Sequence, residues 1–126
     1  MISLGHVNIR TTDLYRSVAF YRDIIGLKPG PAATRPESKD HVWMHSSEGL
    51  PCIHLQRAMN AETNSSVGAG VHHVAFTCVD ADSWRRLLSD REIDFSEAKF
   101  DAAGLLQFNL VDPDGVRLEL LFDRLT

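Results

Sequence analysis

The sequence predicts an α+β fold made of two similar halves, each opening on a strand and a helix and closing on paired strands. Three observations predict it. The stretch His6 to Asp13 (HVNIRTTD) has a counterpart at His73 to Asp80 (HVAFTCVD), at a constant offset of 67 residues. Both copies alternate and then reach an Asp able to cap a helix. Each half then closes on two strand-like runs separated by a turn.

Taken in order, the first strand carries His6, and Asp13 opens the first helix. There Leu14, Val18, Tyr21 and Ile25 recur at helical spacing, and Gly26 supplies the stop. Residues 28–39, with three prolines, read as a loop or an irregular edge strand. Strands follow at 41–45 and 51–56, around Ser46-Ser47-Glu48-Gly49. In the second half Trp84, Leu87 and Leu88 mark a shorter amphipathic helix, capped by Asp80 or Asp82. Strands at 105–111 and 116–121 flank Asp112-Pro113-Asp114-Gly115, where Pro sets φ and Gly takes the demanding position. Residues 58–70, rich in Ala, Asn, Ser and Gly, read as a linker. The expected organisation is one domain, with module one at 1–57 and module two at 71–126.

Either sheet alone leaves one face bare, so the two are expected to pair as a cupped, partly open sheet with helices outside. Strand parity assigns the faces. His6, Asn8 and Arg10 share one, opposite Val7 and Ile9; Cys52, His54 and Gln56 share one, opposite Ile53 and Leu55. His73, Ala75 and Thr77 oppose Val74 and Phe76, and Arg117, Glu119 and Leu121 oppose Leu118 and Leu120. Polar residues on one face and aliphatics on the other suit a cavity with helix-covered backs.

Composition narrows the function classes. At 126 residues the chain holds one modest core, and 44% hydrophobic with 24% charged residues is ordinary for a globular protein. A net charge of −4, with Arg85-Arg86 the one adjacent basic pair, gives no footing for nucleic acid. No apolar run approaches the ~20 residues that span a bilayer, and MISLGHVNIR lacks a signal-peptide pattern. No membrane partner is expected. Cys52 and Cys78 make no disulfide framework, and a cytoplasmic location is expected.

Chemistry concentrates in four residues at matching places in the two halves: His6, His54, His73 and Glu119. His54 and Glu119 are offset by 65 residues rather than 67. Alternate side chains of a strand point one way, so four distant strands can each aim one donor at a common point. Three imidazoles and a carboxylate suit one divalent ion: Zn, Ni, Co, Mn or Fe(II). Arg10 is the candidate anchor for a substrate anion, and Asn8, Gln107 and Asn109 are candidates for hydrogen bonds to substrate. Cys52 shares the His54 face and is not assigned as a ligand. His72, of opposite parity to His73, is expected to face away, and His41 and His45 to be exposed on an edge strand. Trp43, Trp84, Phe20 and Tyr21 read as core or interface.

Several markers carry a resemblance: Gly5-His6-Val7 followed by Asp13-Leu14, Phe20-Tyr21 and Leu27; then His72-His73-Val74-Ala75-Phe76; then Asp112-Pro113-Asp114-Gly115-Val116-Arg117-Leu118-Glu119-Leu120. The chain resembles, over essentially its whole length, the vicinal oxygen chelate superfamily of glyoxalase I, extradiol dioxygenases and fosfomycin and bleomycin resistance proteins. That resemblance implies paired βαβββ modules and a central metal held by one residue from each module's first and last strands. Those positions match His6, His54, His73 and Glu119. It also implies a homodimer, some members sharing sites between subunits.

Within the superfamily the branch is set by departures. Glyoxalase I has a carboxylate or Gln where His54 stands. Arg10 matches its Arg four residues after the first ligand, but Ala58 and Ala69 stand where it has Asn and, in eukaryotic forms, Arg. Those two positions argue against a glutathione substrate. Extradiol dioxygenases need a Tyr where Asn109 stands, and an upstream His, of which there is none between Asp80 and the end. Fosfomycin enzymes share the His6, His73 and Glu119 pattern. The resemblance thus implies a metal-dependent lyase or isomerase of the glyoxalase type, acting on a small substrate with neighbouring oxygens, with Glu119 as proton carrier. The alternatives are an Fe(II) extradiol-type dioxygenase and a non-catalytic small-molecule binding or resistance protein.

Overall fold

A computed structural model describes residues 1–58 and 70–123. The chain is α+β and divides into two compact units, Met1–Asn64 and Ser65–Thr126. Apart from Ala58 and Gly70, the expected linker lies outside the described residues.

The first unit runs β1 (Val7–Thr11), α1 (Leu14–Phe20), β2 (Lys28–Pro31), β3 (His41–His45) and β4 (Pro51–Arg57). Its sheet order is β1-β4-β3-β2, with β1 parallel to β4 and the other pairs antiparallel. Asp13 starts α1 by accepting the Arg16 amide at 3.1 Å. The approach is fixed from below by the buried Thr11 and Ser17 hydroxyls, 2.6 Å apart. The helix then widens into a π-helical turn, Tyr21–Ile25, and Gly26 ends it at φ 90°, a conformation that suits glycine. That wider turn buries Tyr21, Ile24 and Ile25 together, where the helical spacing alone singled out Tyr21 and Ile25. Ile9, Met44, Ile53 and Leu55 complete the core, with Ile9, Ile53 and Leu55 on the strand faces expected to be apolar.

The second unit repeats the plan: β5 (Val74–Cys78), α2 (Ala81–Asp90), β6 (Ser96–Phe100), β7 (Leu105–Val111) and β8 (Arg117–Asp123), in the order β5-β8-β7-β6. Asp80 caps α2 by accepting from the Ser83 amide and hydroxyl. Leu88, Leu106, Phe108, Leu110, Leu118, Leu120 and Phe122 form its core. Phe108 is fully buried, with Phe122 and Phe95 rings 4.8 and 5.2 Å away by centroid. Each unit is thus a βαβββ module.

Two elements differ from the reading of the residues. β6 was not predicted from its own sequence, SEAKF, because an edge strand with four exposed residues in five has no apolar alternation to read. Residues 28–31 do form an edge strand, and because β2 takes that edge, β3 is internal. His41 is therefore buried, 9% exposed, rather than exposed on an edge.

Candidate metal and substrate site

Strand register places the four candidate ligands as two equivalent pairs. In the first unit Asn8 pairs with His54 across the parallel β1–β4 ladder, and His6 immediately precedes β1. In the second unit Ala75 pairs with Glu119 across β5–β8, and His73 lies two residues before Ala75. The diagonal relation is the same in both. The different offsets of the two pairs are absorbed between the strands, not within the ladders.

The pairs are close. The His6 and His54 rings have centroids 5.6 Å apart. His73 Nε2 stands 3.4 Å from Glu119 Oε2. That gap is long for a hydrogen bond between these groups and equals the edge, about 3.4 Å, of a tetrahedron with ~2.1 Å metal–ligand bonds. Within neither unit do the described residues gather three or more His, Cys, Asp or Glu side chains in an arrangement ready for a metal ion.

His54 and His73 each have one ring nitrogen close to another histidine. His54 Nε2 lies 2.8 Å from His41 Nδ1, leaving Nδ1 as its other donor atom. Burial, then the neighbouring charges of His41, His6 and Arg35, lower the His54 pKa below the usual histidine value, which favours the neutral ring a metal needs. His73 Nδ1 lies 3.0 Å from His72 Nδ1, and Arg117 Nη1 lies 2.8 Å from His72 Nε2. An arginine only donates, so His72 Nε2 is the acceptor of that contact.

The substrate candidates are placed less decisively. The Asn8 amide donates to Gln56 Oε1 at 3.2 Å, and the Gln107 amide donates to Asn109 Oδ1 at 2.7 Å. Asn109 pairs with Glu119 in the β7–β8 ladder and lines a cleft of about 330 Å³ with His72, His73, Arg117 and Glu119. Arg10 is exposed on the His6 face of β1.

A family model of the Glyoxalase/Bleomycin resistance protein/Dioxygenase superfamily matches residues 3–120. The chain belongs to that superfamily. It is 30% identical over 133 residues to the metallothiol transferase FosB of Staphylococcus haemolyticus, covering 98% of this chain and 88% of that one. Its fold is that of the fosfomycin resistance protein FosX of Listeria monocytogenes (TM-score 0.71, 17% identity, 98% and 99% of the two chains). It is also that of a lactoylglutathione lyase from Agrobacterium tumefaciens (TM-score 0.67, 19% identity, 98% and 95%).

Four further residues lie around the candidate ligands. His41 is internal because β2 takes the edge, and its pairing with Gln56 puts it on the His54 face. His72 was assigned away from His73 by parity, but β5 starts at Val74, so alternation does not govern residues 72 and 73. Its ring turns to His73 and Arg117 instead. Trp43 pairs with His54, and its ring lies 5.0 Å from that of His6 and 5.9 Å from that of His54. Its Nε1 is buried without a hydrogen-bond partner among the described residues, a feature that calls for an acceptor at this face. Arg117 shares the Glu119 face but had been given no role.

Proposed function

We propose that His6, His54, His73 and Glu119 hold one divalent metal ion, Zn, Ni, Co, Mn or Fe(II), with the four donors drawn from one chain or from two. The protein is then a glyoxalase-like lyase or isomerase acting on a small substrate with neighbouring oxygens. One observation carries the reading: in both units a histidine just before the first strand lies close to a candidate donor on the parallel last strand, with a further histidine beside the pair. The 3.4 Å between His73 and Glu119 fits two donors of one ion.

A divalent ion held there supplies Lewis acidity to the substrate oxygens. The remaining work falls to the chain. Three neutral imidazoles and one carboxylate leave a +1 site, which polarises oxygen more than a two-imidazole, two-carboxylate set would. Glu119, 19% exposed at its side chain, is the proton carrier. Asn8, Asn109 and Gln107 offer hydrogen bonds that orient the substrate, and Arg10 offers a charge. The reading includes a cytoplasmic homodimer, checked for assembly by light scattering.

Elemental analysis of the purified protein tests the reading, with His54→Ala and Glu119→Ala beside the parent. Each variant is expected to lose most of its metal. If either holds metal as the parent does, the four-donor shell is wrong. A second reading, metal-dependent transfer of a thiol, is favoured by the 30% identity to a metallothiol transferase over nearly the whole chain. Thiol consumption in a panel of small electrophiles separates it from isomerisation, which consumes none, and oxygen uptake would instead indicate a dioxygenase.

A further inference from the structure

Arg117 differs in its surroundings from the other paired arginines. Arg22 lies against Asp23, Arg57 against Asp40, and Arg85 against Asp82 and Glu97. Among the described residues Arg117 has no carboxylate at ion-pair distance; Nη1 donates instead, at 2.8 Å, to the His72 ring, so no carboxylate offsets the guanidinium charge.

Its position matters as much. Arg117 and Glu119 lie two residues apart on one face of β8 and line the same 330 Å³ cleft. About 6–7 Å of strand separates them, yet they do not pair: Glu119 faces His73, and Arg117 faces His72. The cleft therefore has a fixed positive end beside an imidazole–carboxylate end. The bond to His72 restrains an otherwise mobile side chain, so less freedom is lost when a ligand arrives. The remaining N–H donors of the guanidinium stay available for a forked contact, a geometry that matches carboxylate and phosphate oxygens.

We propose that Arg117, held by His72, is an oxyanion-binding subsite, and that the substrate carries a carboxylate or phosphate-type group beside the oxygens that face Glu119. This rests on the proposed function only in naming the bound anion as part of the substrate. The anion site itself needs no metal.

The test titrates inorganic phosphate and acetate separately into the full chain, as purified and again after chelation. Binding is read from the NMR signals of the Arg117 side chain and the His72 ring. Saturable binding of at least one anion is expected in both states. Arg117→Gln should weaken it at least about tenfold, the scale of one charge-assisted contact. Arg117→Lys, which keeps the charge and loses the fork, should fall between. Saturation by phosphate alone assigns the phosphate-type group, and by acetate alone the carboxylate. Parent-like binding in Arg117→Gln, binding that disappears on chelation, or no saturation by either anion overturns the proposal. Glu119→Gln separates the two readings: unchanged metal content there refutes the metal shell, while unchanged anion binding there upholds the Arg117 site.

Discussion

Asp112 is where a turn motif, a sheet register and the candidate site meet. Its side chain is 3% exposed, and one oxygen, Oδ1, accepts from the Asp114 amide at 2.8 Å and the Val116 amide at 2.9 Å. The backbone closes the same turn: the Asp112 amide donates to the Val116 carbonyl, and the Gly115 amide, at φ 84°, donates to the Asp112 carbonyl. This turn sets Val111 opposite Arg117 and hence Asn109 opposite Glu119. Asp112→Ala leaves the buried Val116 N–H without its acceptor, at a cost of ~1–3 kcal/mol. Loss of the part-buried Asp114 bond adds about 0.5–1 kcal/mol. The expected loss is therefore about 2–4 kcal/mol in the second unit. Asp112→Asn keeps an oxygen able to accept both bonds and should lose about 1 kcal/mol. Urea unfolding is followed by Trp84 fluorescence in a Trp43→Phe background, because Trp84 belongs to the second unit. With a urea slope of ~1–3 kcal/mol/M, Asp112→Ala should shift the midpoint down by about 1 M or more. A loss under about 0.5 kcal/mol, or equal losses in Ala and Asn, would refute the assignment of these two bonds as what holds the turn.

Two further predictions concern the second unit's interior. Burial pushes the Cys78 thiol up to about 11. Iodoacetamide labelling of the folded protein at Cys78 should be slow near neutral pH and rise about tenfold per unit toward pH 11. The sign for stability follows: the neutral thiol favours the fold below the ordinary value of 9.0, and that contribution is lost as pH rises through about 11. Rapid labelling at neutral pH without unfolding would contradict it. Phe108→Ala, which empties the centre of a three-ring cluster and removes the ring beneath the Arg85 guanidinium, should cost ~3–5 kcal/mol by Trp84-monitored denaturation. A cost under about 1 kcal/mol would mean the cluster is not close-packed.

The fold was legible wherever periodicity, turn chemistry and repetition agreed. His6 to Asp13 and His73 to Asp80 gave the same strand-and-cap sentence twice, and both Asp residues do cap helices. Asp112-Pro113-Asp114-Gly115 read as a turn because φ demands at Pro113 and Gly115 are local properties of those residues. Burial of the apolar face followed from parity within β8, which alternates through seven residues, whereas in β4 His54 is buried along with Ile53 and Leu55. What lay outside local rules was lost. β6 carries Glu97 and Lys99 on its inner-facing positions, where Glu97 bonds Arg85 of α2 instead of entering an apolar core. An edge strand held to its helix by an ion pair leaves no hydrophobic trace.

The site follows the same division, and its asymmetry is what the sequence concealed. Repetition singled out the two candidate pairs, because the two modules carry equivalent positions. It did not locate the partners, which break the repeat. In the first unit the second histidine comes from β3, is buried, and presses its Nδ1 on His54 Nε2. In the second unit it comes from the residue before His73, is exposed, and is tied to Arg117. Duplicated scaffolds therefore give their donors different surroundings: one in a ring-lined, partly dry face beside Trp43, the other at a cleft with a permanent positive charge. The repeat places the candidate donors, and the departures from the repeat give each candidate pair its own surroundings.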